Sequence, residues 1–437
     1  MNGRLEYIGN IQKNILQFFI YTLLVGFLGS LVVENYFAKG YVYVTMLLGF
    51  AFIVYFNYKK IIFSKNEETL ILFGVGAFLL VLSGFFFQDP DYTVFPRAVE
   101  SQSKHLLPLL LLPMFYFIRK NISIKFLALC LLFGAFASFF ITILAYFEGF
   151  LTHGARGGGQ IHGSPIIYGN LSMLFGVLSL TLSLYFYPKK YKLFILLLIG
   201  GGLGILSSLF SGSRGGWIVL LTLPFFIIFS LGISNRRKII LYYFLFLVAS
   251  GIFILSTSNM ISYRINLFFD EINLLMNDPS YSGGSLGSRL VFWGISVKAF
   301  LSSPLIGIGA GEFYAFKKEL LEAGLVPDHL ANFKHAHNEY LSILSNHGLI
   351  GVSFYLFFFV WLLTLFYRYV KSSVDEVRRF GVLGVVAVFC YLEFSLTESF
   401  LTSQLGLPAF YFIISLLIFL AERYQGYSVQ SKQKVLQ

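Results

Sequence analysis

The sequence predicts an all-α polytopic integral membrane protein of about 12 transmembrane helices, with one long outer segment of short amphipathic helices. Three observations predict it. Of the 437 residues, 57% are apolar and only 12% are charged, against about 25% charged in a typical soluble domain. The 52 Phe, 27 Tyr and 3 Trp are more than one soluble globule could hide, because a folded chain of this size still exposes a large surface. The apolar residues also gather in runs near the roughly 20 residues that cross a bilayer, without the alternation of barrel strands. Mean hydropathy is +0.76. A soluble multidomain enzyme, a disordered chain and a fibrous repeat are excluded.

The runs fall in three blocks. Residues 1–258 hold nine of them, at about 15–33, 41–56, 69–87, 106–118, 126–147, 164–187, 193–210, 216–234 and 239–258. The polar stretch MNGRLEYIGNIQKN precedes the first, and no small-residue cleavage site follows it, so a retained span is expected rather than a signal peptide. The fourth run is short and contains Pro108 and Pro113, which predicts a helix that is tilted, broken or longer at its front end. Residues 259–347 form the long outer segment. Residues 348–437 hold the last three runs, at about 348–367, 380–397 and 405–420, and a cytoplasmic tail.

Loop charge sets the orientation. With the N-terminus inside, the inner loops carry Lys59, Lys60 and Lys65; Arg119, Lys120 and Lys125; Lys189, Lys190 and Lys192; Arg236, Arg237 and Lys238; and Arg368, Lys371, Arg378 and Arg379. Every short inner loop outnumbers its outer neighbours, as the positive-inside rule requires. The net charge of +11 is therefore a topology signal and calls for no nucleic acid. Cys130 and Cys390 lie inside apolar runs and form neither a disulfide framework nor a metal-ligand spacing.

The outer segment contains YRINLFFDEINLLMND, RLVFWGISVKAFLSS and EFYAFKKELLEAGL. Their apolar residues recur near i, i+3 and i+4, which predicts short amphipathic helices against the membrane face. The Gly/Ser stretch at 280–288 reads as a flexible connector between the first two.

Reactive side chains concentrate on the outer face. Among the runs only one holds a charge, Glu393, a lone intramembrane carboxylate that takes no role on sequence grounds. All seven histidines lie on the outer side or at that face. Arg214, in SGSRGGWIV, sits where one span ends and the next begins. Backbone N–H groups at Gly215 and Gly216 beside a guanidinium suit an anion such as phosphate; an interfacial anchor on a tight turn fits equally. Arg156, in HGARGGGQIHGSPIIYGN, precedes a helix start at Ser164–Pro165 and reads as a second phosphate-cradling loop or a plain flexible one. Arg289, in SLGSRLVFW, is expected to open an amphipathic helix. A positive charge there opposes the helix dipole, which an anionic partner would explain, as would a lipid headgroup.

The segment HAHNEYLSILSNHGLIG (335–351) is the strongest local signal. It places His337 at or just before a helix N-terminus, with Gly348 as a stop. A neutral histidine there could act as general base or simply cap the helix. A metal on His335 and His337 is not expected, since no further ligand is close in sequence and Glu339 would point elsewhere. Asp89 and Asp91, in QDPDY, are read as a Pro-containing turn and not as a metal-binding pair.

At SGSRGGW and HAHNEYLSILSNHGLIG the sequence resembles the O-antigen ligase and polymerase superfamily of bacterial surface-polysaccharide synthesis. The order of arginine and histidine motifs along most of the chain is similar to lipopolysaccharide O-antigen ligases in particular. By that resemblance Arg214 and Arg289 match the arginines that handle a lipid-linked diphosphate, and His337 matches the catalytic histidine. Arg156 follows only a loose Arg/Gly-plus-Pro pattern. The resemblance implies an inverting, metal-independent glycosyltransferase without cofactor in the bacterial inner membrane, with cytoplasmic termini and a periplasmic active site. The implied donor is an undecaprenyl-diphosphate-linked glycan and the implied acceptor a sugar hydroxyl of lipid A–core. The same motifs suit a polymerase of the superfamily or a protein O-glycosyltransferase. A lipid-linked sugar flippase or transporter should instead show inverted repeats and midplane polar residues.

Overall fold

The computed structural model describes residues 2–56, 61–87, 95–148, 161–186, 190–222, 259–278 and 280–435. Every regular element among the described residues is a helix, and the fold is that of an all-α polytopic membrane protein. In chain order the helices are α1 (Asn2–Ser30), α2 (Asn35–Phe56), α3 (Lys65–Phe87), α4 (Phe95–Gln102), α5 (Leu107–Phe117), α6 (Ile124–Phe147), α7 (Pro165–Ser183), α8 (Tyr191–Phe210), α9 (Asn259–Asn277), α10 (Gly284–Ser302), α11 (Phe313–Glu322), α12 (Glu339–Val370), α13 (Asp375–Phe394) and α14 (Gly406–Val435).

Eight of these, α1, α2, α3, α6, α7, α8, α12 and α14, are long and apolar enough to cross a membrane among the described residues. They coincide with eight of the twelve apolar runs. The fourth run is α5, only 11 residues long with Pro113 inside it, and a 3₁₀ turn at Ser103–Leu106 and α4 extend it forward. The eleventh run is α13, which packs between α12 and α14. The eighth and ninth runs lie largely outside the described residues.

Burial ranks the helices. The apolar windows of α7 and α14 are each 89% buried, against 28% for α2, so α7 and α14 form the middle of the bundle and α2 its rim. Helix α7 approaches α8 closely because small residues meet: a Cβ on Gly204 would lie 2.8 Å from the Gly176 backbone. Small residues at such a crossing let helices touch backbone to backbone where lipid supplies no hydrophobic drive.

The outer segment forms α9, α10 and α11, close to the three amphipathic stretches read from the sequence. The connector between the first two is shorter than expected, because α10 already begins at Gly284. Its first turn is held by a carboxylate from the preceding helix. Glu271 accepts from Ser285 N at 3.1 Å and from Leu286 N at 2.9 Å, satisfying amides that a helix start leaves open. Arg289 therefore lies in the second turn rather than at the opening of the helix, and the dipole argument made for it loses force.

Helix α12 joins the outer segment to the membrane. Gly348 interrupts it with φ 57° and ψ −154°, so the expected stop is a break after which the helix resumes. The amides freed by the break bond the turn after α10: Leu349 N donates to Pro304 O at 2.9 Å and Ile350 N to Leu305 O at 3.1 Å. In return Ile308 N donates to Ser345 O and Gly309 N to Asn346 O. A Cβ on Gly348 would stand 2.5 Å from the Leu305 carbonyl carbon. Gly348→Ala combines that clash with a backbone conformation costing about 1–3 kcal/mol for a residue with a Cβ. It is expected to lower the melting midpoint of the detergent-solubilised protein by several degrees; an unchanged midpoint would show that the break is not needed for the fold.

Candidate active site

His337 stands one residue before the cap of α12. The Asn338 side chain caps the helix by accepting from Leu341 N at 3.1 Å, and its amide donates to Leu396 O at 3.1 Å. His337 itself has φ 50°, the one positive value outside glycine among the described residues. Histidine tolerates this region better than most side chains, but it is uncommon. The approach to it is fixed by a buried ammonium. Lys317 of α11 donates to Leu330 O at 2.6 Å, Ala331 O at 2.7 Å and Phe333 O at 2.5 Å. The rings of Phe292 and Phe333 flank the imidazole at 6.1 and 6.0 Å.

The loop after α13 closes over the start of α12. Glu339 N donates to Ser395 O at 2.8 Å, and the buried Glu339 carboxylate accepts from Leu401 N at 2.7 Å and Thr402 N at 3.1 Å. These bonds bring Glu398 onto His337, with Nδ1 2.9 Å from Glu398 Oε2. Glu398 is 4% exposed, and its other oxygen accepts from Ser399 N at 3.0 Å. Burial alone would raise its pKa. The His337 hydrogen bond, the nearby imidazoles and the Ser399 N–H outweigh burial and hold it below the usual carboxylate range. An ionised carboxylate only accepts, so His337 Nδ1 carries the hydrogen. In the neutral ring Nε2 is then the nitrogen left to accept a proton, and it has no hydrogen-bond partner among the described residues. This is the arrangement of an oriented general base.

Glu398 was not identified as a partner from the sequence, and the ground given there against metal fails for the same reason. Glu339 does point elsewhere, as expected, but Glu398 faces both histidines of HAH. Its Oε1 is 3.4 Å from His335 Nδ1, and the three residues offer ligand atoms within 4.8 Å of one another. The two imidazole centroids are 4.2 Å apart. Burial lowers the His335 pKa, with Glu398 partly offsetting it.

These residues line a cavity of about 460 Å³. Its walls include His335, His337, Glu398 and Asn346, and also Ser164 and Pro165, the helix start singled out after the loop of Arg156. Arg156 itself lies outside the described residues, as do Asp89 and Asp91. Arg289 is mostly buried one helical turn before Phe292, where burial depresses its pKa and the charges of Glu398 and Glu271 oppose that shift. Its guanidinium remains charged, since arginine does not deprotonate in proteins. Arg214 starts a 3₁₀ turn at Arg214–Trp217, with its guanidinium 5.0 Å from the Phe268 ring centre of α9. The same turn rests on the Glu398 loop, because a Cβ on Gly215 would meet the Thr397 side chain. Histidine, carboxylate and both arginine-bearing segments thus converge on one neighbourhood. Glu393 stands apart from it, accepting from Thr222 Oγ1 at 2.6 Å, the pairing with a polar span residue that a lone intramembrane carboxylate needs.

Residues 194–356 match a family model described as O-antigen ligase. That segment includes Arg214, Arg289 and His337, while Glu398 lies beyond it. The resemblance read from the sequence is borne out at the level of that superfamily, whose chemistry is glycosyl transfer with lipid-linked glycans in a membrane. A protein of Haemophilus influenzae, described as uncharacterized, is 26% identical over 382 residues, covering 86% of this chain and 92% of its own length.

Proposed function

We propose that this chain is an O-antigen ligase of the bacterial inner membrane, with both termini cytoplasmic. It transfers a glycan from undecaprenyl diphosphate to a sugar hydroxyl of lipid A–core at the periplasmic face. The observation that carries the reading is the His337–Glu398 pair at 2.9 Å on the wall of a cavity large enough for a sugar ring. Glu398 holds the proton on Nδ1, and Nε2 takes the proton of the acceptor hydroxyl. The oxygen attacks the anomeric carbon from the side opposite the diphosphate, the bond to the diphosphate breaks, and the configuration inverts. Arg214 and Arg289 stabilise the negative charge that develops on the leaving diphosphate, with Arg156 as a further diphosphate contact. The donor carries its own activation, so the step needs neither cofactor nor metal. The chain divides accordingly into a membrane block at 1–258, a periplasmic segment at 259–347 with the catalytic histidine, and a second membrane block at 348–437.

A deletion strain tests the donor and acceptor. Long glycan is expected to accumulate on undecaprenyl diphosphate while lipid A–core stays bare. Lipid A–core carrying a single repeat unit would assign the protein to the polymerases instead, and normal glycolipids with altered solute uptake would point to a transporter.

Arginine variants test the leaving-group side with purified protein, lipid-linked donor and lipid A–core. Arg214→Ala and Arg289→Ala are each expected to weaken donor binding and to slow transfer about 100-fold, the scale of losing one donor to a developing oxyanion. Lysine at either position should rescue only partly, since it keeps the charge without the planar fork. Full rescue by lysine would reduce the role of the arginines to bulk charge.

A further inference from the structure

Beside the His337–Glu398 pair the pocket holds His335, which the transfer reaction does not use, and the three together form a candidate ligand set. His335, His337 and Glu398 each offer one ligand atom, and these atoms all lie within 4.8 Å of one another. The closest pairs are 2.9 Å between His337 and Glu398 and 3.4 Å between His335 and Glu398. His335 Nδ1 is sealed from solvent and has no hydrogen bond, although 45% of its side chain is exposed. A buried ring nitrogen aimed at a carboxylate and left without a hydrogen bond lacks the partner that buried polar atoms ordinarily have. A divalent cation would supply it.

We propose that His335, His337 and Glu398 form a zinc site, and that zinc bound there switches off transfer; the second half rests on the reading of His337 as the base. Two histidines and one carboxylate with an open fourth position are a ligand set that zinc takes in proteins, at metal–ligand distances of about 2.0–2.2 Å. Tetrahedral bonds of that length place ligand atoms about 3.3 Å apart. The His335 Nδ1–Glu398 Oε1 pair at 3.4 Å already meets that spacing; the His337 Nδ1–Glu398 Oε2 pair at 2.9 Å would open by a few tenths of an ångström, and side-chain rotations would bring the rest of the set together. The adjoining cavity leaves room for water as the fourth ligand. Glu398 is ionised and keeps its bond from Ser399 N, which holds the ligating carboxylate in place.

The switch follows from the ring. Zinc on His337 Nδ1 takes the lone pair of that nitrogen, and the proton formerly on Nδ1 moves to Nε2. Nε2 then carries a hydrogen and has no lone pair for the acceptor proton. Metal and general base are therefore alternatives at one imidazole, decided by its tautomer. Magnesium and calcium, which prefer oxygen ligands, are expected to have no effect.

The experiment uses full-length purified protein, washed with chelator. Zinc binding is measured by competition with a chromophoric chelator, and transfer is followed at the same free zinc concentrations. A single zinc is expected per chain. His335→Gln should weaken binding at least ~100-fold, more than the loss of an outer-shell partner usually costs. Wild-type transfer should fall with the same midpoint as binding and recover with EDTA, and His335→Gln should resist zinc at that concentration. Cobalt bound to the wild-type protein should give tetrahedral d–d absorption, a readout that needs no variant to fold. Absence of cobalt bands, or equal zinc affinity in wild type and His335→Gln, overturns the site. Tight binding with undiminished transfer overturns the switch while the site stands. Transfer retained by His337→Ala removes the base and the switch together, and leaves the binding measurement unaffected.

Discussion

Replacing His337 with alanine is expected to leave binding of the lipid-linked donor intact and to slow transfer at least ~100-fold, the lower end of what a positioned general base contributes. The split between binding and turnover distinguishes this residue from the arginines. The diphosphate is charged before and during departure, so an arginine acts on both stages, whereas the proton on the acceptor hydroxyl matters only as the new bond forms. His337→Ala leaves Glu398 charged and buried without its hydrogen bond, so the measurement must be paired with a melting curve. Transfer within a few-fold of wild type, in a folded protein, would remove the histidine from the mechanism.

Glu398→Gln should be nearly as damaging. Glutamine fills the same space and can still accept from Ser399 N through its carbonyl oxygen. Its amide group then faces His337 Nδ1 as a donor, and the ring responds by putting its own hydrogen on Nε2. A base held in the wrong tautomer is inactive with its geometry intact. In a serine protease the equivalent carboxylate-to-amide change costs about 10⁴-fold in kcat. A loss of about 10²- to 10⁴-fold in kcat is expected here, with KM for the donor little changed. Glu398→Asp should recover part of the rate, because it restores the negative acceptor at a longer reach. A kcat near wild type in Glu398→Gln would show that Glu398 is structural only.

The membrane-length helices were legible because span length and apolar composition are local properties of the sequence. Eight apolar runs became membrane-length helices, the fourth run is short and extended at its front end as expected, and the interruption at Gly348 follows from a residue whose backbone chemistry is visible in any context. His337 was legible for the same reason, since a histidine just before Asn338 and an apolar helix announces a helix entry. Glu398 was not. It lies 61 residues away, in a loop whose composition continues the preceding apolar run, and only the closure of that loop onto Glu339 brings it to the ring. The third possible metal ligand was missed with it. The start of α10 was misplaced because Gly284–Ser288 reads as a linker, whereas its amides are capped by Glu271 from the helix before. In each case the missing information was a contact between segments, which no periodicity records. An acidic residue just past the outer end of a span, as in TESF, is the signal that could have drawn attention to Glu398.

The distance along the chain between base and carboxylate also sets an order in time. A chain emerging from the ribosome presents its N-terminal helices first, and by residue 370 it contains both arginines and the histidine. It does not yet contain Glu398, and α14, 89% buried in its apolar window, has still to enter the middle of the bundle. The imidazole of such an incomplete chain has nothing to choose its tautomer. On the proposed mechanism the dyad is complete only once residues 395–402 have emerged and closed onto the start of α12. On the same mechanism, an unfinished or C-terminally clipped copy in the membrane keeps its arginines but lacks the carboxylate that orients its base, so transfer by incomplete copies is held down by where the second half of the dyad is encoded.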